Sequence, residues 1–218
     1  MKAEIYHLYH SGVVVKTDNK FMVFDYYNDR PTGKERKLEN GVLSPEDLSN
    51  KLTNYVFVSH NHADHFNQVI FDWKEETEDI KYIMSSDLKQ AMRKNVYEKI
   101  VDQFNKLDGS DQSNSYFLDP DEKVKMDSLT VETYGSTDKG VSFLVKTEQL
   151  NIFHAGDLNW WHWKDNTERE QEMEERNYKK EVTKFKDEKI DIAFVPVDPR
   201  LEEYYYLAGE YFVKEVSP

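Results

Sequence analysis

Residues 59–65 read Ser-His-Asn-His-Ala-Asp-His and directly follow the apolar run Tyr-Val-Phe-Val at positions 55–58. The run is rich in β-branched and aromatic residues, which predicts a buried strand, so the histidines are expected in the loop at its C-terminal end. Imidazole nitrogens and carboxylate oxygens are ligands of zinc, iron and manganese sites. A surface loop that is histidine-rich by chance is the alternative, and the density of candidate ligands favours a metal site.

The spacing of the candidate ligands within this loop predicts two metal positions. His60 and His62 are two residues apart, so an extended or turning backbone can direct both imidazoles towards one ion. Asp64 and His65 are adjacent and therefore point apart, which indicates a second ion beside the first. These four side chains are the candidate metal ligands of the loop.

The pattern His-x-His-x-Asp-His after an apolar strand resembles the signature of the metallo-β-lactamase superfamily. Residues 150–157, Leu-Asn-Ile-Phe-His-Ala-Gly-Asp, resemble that family's later strand ending in Gly-Asp, which implies that Asp157 bridges two metals. The opening, His-Ser-Gly at 10–12 and Phe-Met-Val-Phe-Asp at 21–25, resembles the branch of metal-dependent hydrolases that includes ascorbate-lactonase-like enzymes. The resemblance implies an α/β (α+β) fold, a four-layer αββα sandwich, in a single domain over residues 1–218.

Two histidines of the family pattern have no counterpart in this sequence. The third metal-binding histidine should fall within residues 134–140, Tyr-Gly-Ser-Thr-Asp-Lys-Gly, where Asp138 or Ser136 is the candidate replacement ligand. The last histidine of the family usually follows the final helix, after a short strand. The sequence stops at Pro218, where that strand would begin, so we expect a chain that is either naturally short or truncated at its C-terminus.

The resemblance implies the following ligand sets for the two ions. His60, His62 and Asp157 would hold the first ion, and Asp64, His65 and Asp157 would hold the second. Three protein ligands plus water still form a catalytic zinc pattern, because such sites keep an open position. In this interpretation Asp64 holds or deprotonates the attacking water, and Asp157 bridges or orients.

Three further residues are candidates for the surroundings of the metals, and each has two interpretations. Asp25 ends a predicted strand and either caps a turn or orients a ligating histidine. His10 either lines the site or is a hydrogen-bonded loop histidine, and the second interpretation is favoured. His154 lies three residues before Asp157 and either supports the site or fills the core.

An aromatic segment follows directly after Asp157. It consists of Trp160, Trp161, His162 and Trp163. Either these side chains clamp the following helix, or they form one apolar wall of the substrate pocket.

The remaining elements follow from periodicity. Helices are predicted over 87–104, over 166–188 with Met173, Val182 and Phe185 on a narrow buried side, and over 201–216. Strands near 116–118, 124–126, 129–134, 141–146 and 151–154 are predicted to form a second sheet, each pairing largely with its neighbours in sequence.

The composition limits the classes of function. The formal net charge of -13 argues against a nucleic acid as the main partner, although a metal pair can reverse the local field for a small anionic substrate. The absence of cysteine excludes disulfides and thiolate metal sites and fits a reducing cytoplasm. The N-terminus lacks the apolar core of a signal peptide, and no run approaches a membrane span. We therefore expect a cytoplasmic protein whose partner is a small molecule; its oligomeric state stays open.

The sequence thus predicts a metal-dependent hydrolase that uses a metal-activated water on an ester, lactone or phosphodiester-type small molecule. One or two divalent ions are implied, with zinc preferred and manganese or iron as alternatives. The sequence contains no Gly-x-Ser-x-Gly elbow and no cysteine, which argues against a covalent mechanism. The alternative is a degenerate, non-catalytic member of the same fold that binds a metal or a ligand.

Overall fold

The computed structural model describes residues 3–48, 51–77, 79–91, 114–126 and 128–218. The chain divides into two compact units, Met1–Leu118 and Asp119–Pro218, and each contains one β-sheet. No helix in the described ranges is both long enough and apolar enough to cross a membrane. The single domain expected over the whole chain stays a prediction.

The sheet of the first unit has six strands in the order β1-β2-β3-β4-β5-β6. The strands are β1 Glu4–His7, β2 Val13–Lys16, β3 Lys20–Phe24, β4 Thr53–Val58, β5 Ile80–Ser85 and β6 Ser115–Leu118. The first three pair antiparallel, and β3 to β6 pair parallel. The central strands β3, β4 and β5 are apolar almost throughout and buried along nearly their whole length, as expected for parallel strands covered on both faces.

The prediction that the strand near 116–118 belongs to the second sheet was wrong. Strand β6 pairs parallel with β5, and Tyr82 donates a backbone hydrogen bond to the carbonyl of Asn114 at 2.8 Å. A short apolar run does not encode its partner strand, because pairing depends on contacts with distant parts of the chain. Most of the predicted helix over 87–104 lies outside the described residues, and its described part is helix α1, Leu88–Ala91.

The sheet of the second unit has five strands in the order β11-β10-β9-β8-β7. The strands are β7 Lys123–Met126, β8 Leu129–Tyr134, β9 Ser142–Lys146, β10 Asn151–His154 and β11 Ile192–Phe194. Strands β7 to β10 form an antiparallel meander, as predicted from their order in the sequence, and β11 pairs parallel with β10.

Two α-helices belong to the second unit, α2 Glu168–Thr183 and α3 Leu207–Val216. The predicted helix over 201–216 is instead two elements, because Glu202 has a left-handed backbone (φ 51°) inside the short 3-10 segment that precedes α3. Phe153 of β10 packs in the core between Phe185 and Phe212, with ring centroids 4.6 and 5.3 Å apart. The remaining 3-10 helices are Leu38–Asn40, Pro45–Asp47 and Gln68–Glu75.

The helix predicted over 166–188 is shorter, since α2 spans Glu168–Thr183, and one of its three predicted buried residues is exposed. Val182 and Phe185 are buried as predicted, but Met173 is 42% exposed and Tyr178 takes the buried place near the middle of the helix. Met173 lies five residues before Tyr178, which turns it by about 140° around a helix of 3.6 residues per turn.

Candidate metal centre

Parallel pairing of β3 with β4 brings Asp25 beside the start of the histidine loop. Phe24 is in register with Phe57, and the backbone nitrogen of Asp25 donates to the carbonyl of Phe57 at 2.9 Å. The Asp25 carboxylate accepts from the backbone nitrogen of Ser59 at 2.8 Å and from the Ser59 hydroxyl at 2.7 Å. The adjacent C-terminal ends of two parallel strands therefore place a carboxylate beside residues 59–65.

Asp25 also fixes the tautomer of His65. Its Oδ2 atom lies 2.7 Å from Nδ1 of His65, and both side chains are fully buried. A carboxylate can only accept, so Nδ1 carries the proton and Nε2 is the atom that can bind a metal. Asp25 has a left-handed backbone (φ 46°), a conformation that a short polar residue tolerates better than most others.

Asp25 also orients His60, indirectly, through the hydroxyl group of Ser59. The single hydroxyl proton of Ser59 is donated to Asp25, so the hydroxyl oxygen accepts from Nδ1 of His60, which lies 3.0 Å away. Nε2 of buried His60 is therefore also the atom with a lone pair. One carboxylate thus sets, directly or through a hydroxyl, which nitrogen each of two histidines presents.

His60 and His62 have nearly the separation that one ion requires. Nε2 of His60 lies 3.0 Å from Nδ1 of His62, and the ring centroids are 4.6 Å apart. Two nitrogens bound to one zinc at tetrahedral angles lie about 3.4 Å apart, given Zn–N bonds of 2.0–2.1 Å. A small movement of either ring would place both nitrogens on one ion.

A second group of candidate ligands lies in the same unit. One nitrogen each of His10 and His65 and one carboxylate oxygen of Asp64 all lie within 4.8 Å of one another. His65 is buried, whereas the Asp64 side chain is 53% exposed. From the sequence His10, which lies between β1 and β2, was a possible replacement ligand or a neighbour of the site, but it was not assigned to this position.

The ends of the loop are held by residues outside the predicted site. The backbone nitrogen of Asn61 donates to the carboxylate of Asp87 at 3.1 Å. The side-chain nitrogen of Asn67 donates to the carbonyl of Tyr27 at 2.7 Å, and its oxygen accepts from Val69 at the start of a 3-10 helix. No role was predicted for Asp87 from the sequence. Its position just after strand β5 could have indicated one, because β5 ends at the same sheet edge as the strand before Asp25.

The predicted ligands of the second unit are Asp157 and Asp138. They lie in two loops that are connected by hydrogen bonds of Thr137. The Thr137 hydroxyl donates to the carbonyl of Asn159 at 2.6 Å and lies 3.3 Å from the carbonyl of Asp157. Asp157 is partly buried, and Asp138 is exposed next to Thr137. Buried His154 takes part in the turn before Asp157, because its Nδ1 accepts from the backbone nitrogen of Gly156 at 3.2 Å.

The aromatic segment after Asp157 divides into two parts. Trp160 is buried against α2, where its ring stacks 6.3 Å from Tyr178 and Lys179 lies 4.8 Å above it, as the clamp interpretation requires. Trp161 and Trp163 are partly buried and stack on each other at 5.8 Å, separately from Trp160. Their role as a pocket wall stays a prediction.

The chemistry of the donor set within the first unit fits a divalent metal. Imidazoles whose tautomers are fixed by hydrogen bonds, together with a carboxylate, are the ligands that zinc, manganese and iron share. The arrangement does not select one of these three metals.

The chain is similar to solved structures of one fold. It matches a metallo-β-lactamase from Staphylococcus aureus (TM-score 0.51, 14% identity, 100% of this chain and 68% of that one). It matches CmlA, a diiron β-hydroxylase from Streptomyces venezuelae (TM-score 0.55, 13% identity, 100% and 43%). It also matches a provisionally named metal-dependent hydrolase from Parabacteroides distasonis (TM-score 0.50, 16% identity, 90% and 70%).

These likenesses are structural, since no family profile and no curated protein matches the sequence. The chain spans between 43% and 70% of the length of the three matched structures. Identities of 13–16% support a conclusion about the fold alone. The predicted fold class is confirmed: this chain has the fold of the metallo-β-lactamase superfamily.

Proposed function

We propose that this chain is a metal-dependent hydrolase that acts on an ester, lactone or phosphodiester-type small molecule. The hydrogen-bond network from Asp25 to His60 and His65 carries the proposal. Burying a carboxylate, a hydroxyl and two imidazoles costs free energy unless their polar atoms are satisfied, and here each imidazole is hydrogen-bonded at Nδ1, which directs the lone pair to Nε2. Such a network orients the nitrogens of two histidines, which metal binding requires and hydrophobic packing does not.

The chemistry divides between the ion and the residues of the chain. A bound divalent metal would lower the pKa of a coordinated water to near neutrality and would polarise the oxygen of the attacked carbonyl or phosphoryl group. Asp64, whose side chain is half-exposed, would hold the attacking water or accept a proton from it. Asp25 keeps the ring of His65 in one orientation throughout.

Further parts of the proposal come from the sequence. Asp157 completes the ligand set, Asp138 is the candidate replacement for the family's third histidine, and zinc is the preferred ion. The fold by itself does not decide the substrate, because function depends on the site grafted onto it. A small anionic substrate is compatible with the negative net charge, because metal ions reverse the local field.

The experiment combines elemental analysis with a panel of ester, lactone and phosphodiester substrates, each assayed with zinc, manganese or iron. The wild type is compared with His60→Ala and Asp157→Ala, and the matched controls are His7→Gln and Asp165→Ala, which replace exposed residues. We expect both site variants to lose metal-dependent turnover while keeping their circular dichroism spectrum, and both controls to keep turnover.

Turnover that survives in both site variants would refute the proposal. Bound metal without turnover of any substrate would favour the alternative, a non-catalytic member of the same fold. The two results are distinguishable because metal content is measured independently of activity.

A further inference from the structure

We propose that His10 is a metal ligand, which together with Asp64 and His65 forms the second metal position. The assignment rests on the proposed function, since it names a ligand of the same centre. It replaces the interpretation of His10 as an ordinary loop histidine, and it adds a fourth imidazole to His60, His62 and His65 in a chain that lacks two histidines of the family pattern. All three side chains belong to the first unit.

The distances fit ligands of one ion. Nε2 of His10 lies 3.6 Å from Oδ2 of Asp64. Two ligand atoms at 2.0–2.2 Å from a zinc lie about 2.8 to 3.8 Å apart for bond angles between 90° and 120°. The ring of His10 meets the ring of His65 edge-on, with centroids 4.9 Å apart, so both rings border the same space beside Asp64.

His10 presents its Nε2 atom to this space. Its Nδ1 lies 3.2 Å from the hydroxyl oxygen of Ser11, which can accept the Nδ1 proton. Nε2, the atom near Asp64, is then the one able to bind a metal. This repeats the relationship between Ser59 and His60, where a hydroxyl beside Nδ1 leaves Nε2 for the ion.

The turn that contains His10 has an uncommon backbone conformation and close backbone contacts. His10 has a left-handed backbone (φ 52°), which is uncommon for a residue other than glycine, and Nε2 of His7 donates to its carbonyl oxygen at 2.9 Å. A Cβ on Gly12 would come within 2.8 Å of the Tyr9 carbonyl oxygen and 3.0 Å of the Asp25 carbonyl oxygen. The turn is therefore pressed against the residue that orients His65, and such strain clusters at functional sites.

The left-handed backbone of His10 allows a substitution that removes the imidazole without destabilising the turn. Glycine adopts φ near +52° without steric cost, so His10→Gly removes the imidazole and relieves the turn at the same time. His7→Gln is the matched control, because glutamine keeps a side-chain donor for the His10 carbonyl. Thermal unfolding in metal-free buffer verifies that His10→Gly is folded and at least as stable as the wild type.

The measurement is a titration of the full chain with cobalt(II), followed by its visible absorption and by competition with a chelator. We expect His10→Gly to bind one cobalt ion at least about tenfold more weakly than the wild type, since even the partners of ligands contribute 10–100-fold to affinity. Added imidazole should restore the affinity and the spectrum in this variant. His7→Gln should match the wild type.

Three results would overturn the assignment. If His10→Gly binds every cobalt ion with wild-type affinity and spectrum, His10 is not a ligand and the proposed function is untouched. If imidazole does not rescue a weakened site, the loss is not due to a missing ligand. If the wild type binds neither cobalt nor zinc, the proposed function fails together with the assignment.

Discussion

The carboxylate of Asp25 lies 2.7 Å from Nδ1 of His65, and both side chains are completely buried. Forty residues separate them in the sequence, and the parallel pairing of β3 with β4 brings them together. The same carboxylate accepts the hydroxyl proton of Ser59 and so orients His60 as well. Asp25 therefore determines how residues from both predicted metal positions present their nitrogens.

Replacing Asp25 with asparagine should weaken metal binding without unfolding the chain. Asparagine has the same shape and tolerates a left-handed backbone, but its amide no longer favours the Nδ1–H tautomer of His65 as a carboxylate does. We expect a loss of about 10–100-fold in zinc affinity, measured by competition with a chelator. Asp18→Asn, at an exposed position near β3, should be unaffected, and equal affinities of Asp25→Asn and the wild type would contradict the role of Asp25.

Metal addition should raise the melting temperature, because an ion that binds only the folded state stabilises it by mass action. At a free zinc concentration 100 times the dissociation constant, the gain is about 2.7 kcal/mol. Differential scanning calorimetry with zinc, and then with excess chelator, measures the gain and its reversal. The double variant His60→Ala/His65→Ala is the control; a shift as large in this variant as in the wild type would mean that zinc acts elsewhere.

Glu174 should make the second unit more stable at acidic than at neutral pH. Burial raises the pKa of Glu174, and the nearby charge of Asp138 raises it further. Because the pKa is higher in the folded than in the unfolded state, the stabilisation present below the unfolded pKa is lost as the pH rises through the folded one.

Glu174→Gln should therefore raise the melting temperature at pH 7 and leave it nearly unchanged below about pH 3, where the carboxyl group is protonated in both states. Glu172→Gln, at an exposed position of the same helix, is the control. An equal gain for Glu174→Gln at both pH values would show that the effect does not come from its charge.

Phe153→Ala should destabilise the second unit strongly. The side chain is fully buried and packs against Phe185 and Phe212, so its removal leaves a cavity and costs about 3–5 kcal/mol. Met173→Ala, at an exposed position of α2, should change the free energy of unfolding by less than about 0.5 kcal/mol. Urea denaturation of both variants measures the difference, and similar costs would mean that the described core is incorrect.

Local pattern was sufficient for several features. The apolar run before residue 59 forms β4, and the loop that follows holds the candidate ligands where they were expected. The meander β7 to β10 follows from alternation and turn residues between consecutive strands. The helix predicted over 166–188 is α2, which begins after Thr167, where the Thr167 hydroxyl and Glu170 form a capping box.

Other features were decided by contacts between distant parts of the chain. Strand β6 pairs with β5 of the first sheet, and Glu202 interrupts a helix that its neighbours would have continued. The sequence left Asp25 equally a turn cap or a partner of a histidine, and it favoured a loop role for His10. Hydrogen bonds to Asp25 and the 3.6 Å approach of His10 to Asp64 appear only in the folded chain.

The sequence by itself therefore determined which residue types could bind a metal and on which strand end they lie, because side-chain periodicity and ligand spacing are properties of a few consecutive residues. Only the tertiary structure decided which nitrogen of His60 and of His65 is available. For His65 that choice depends on the carboxylate of Asp25, 40 positions away, and for His60 it depends on Ser59, whose hydroxyl donates to the same carboxylate. Strand pairing sets the place of Asp25.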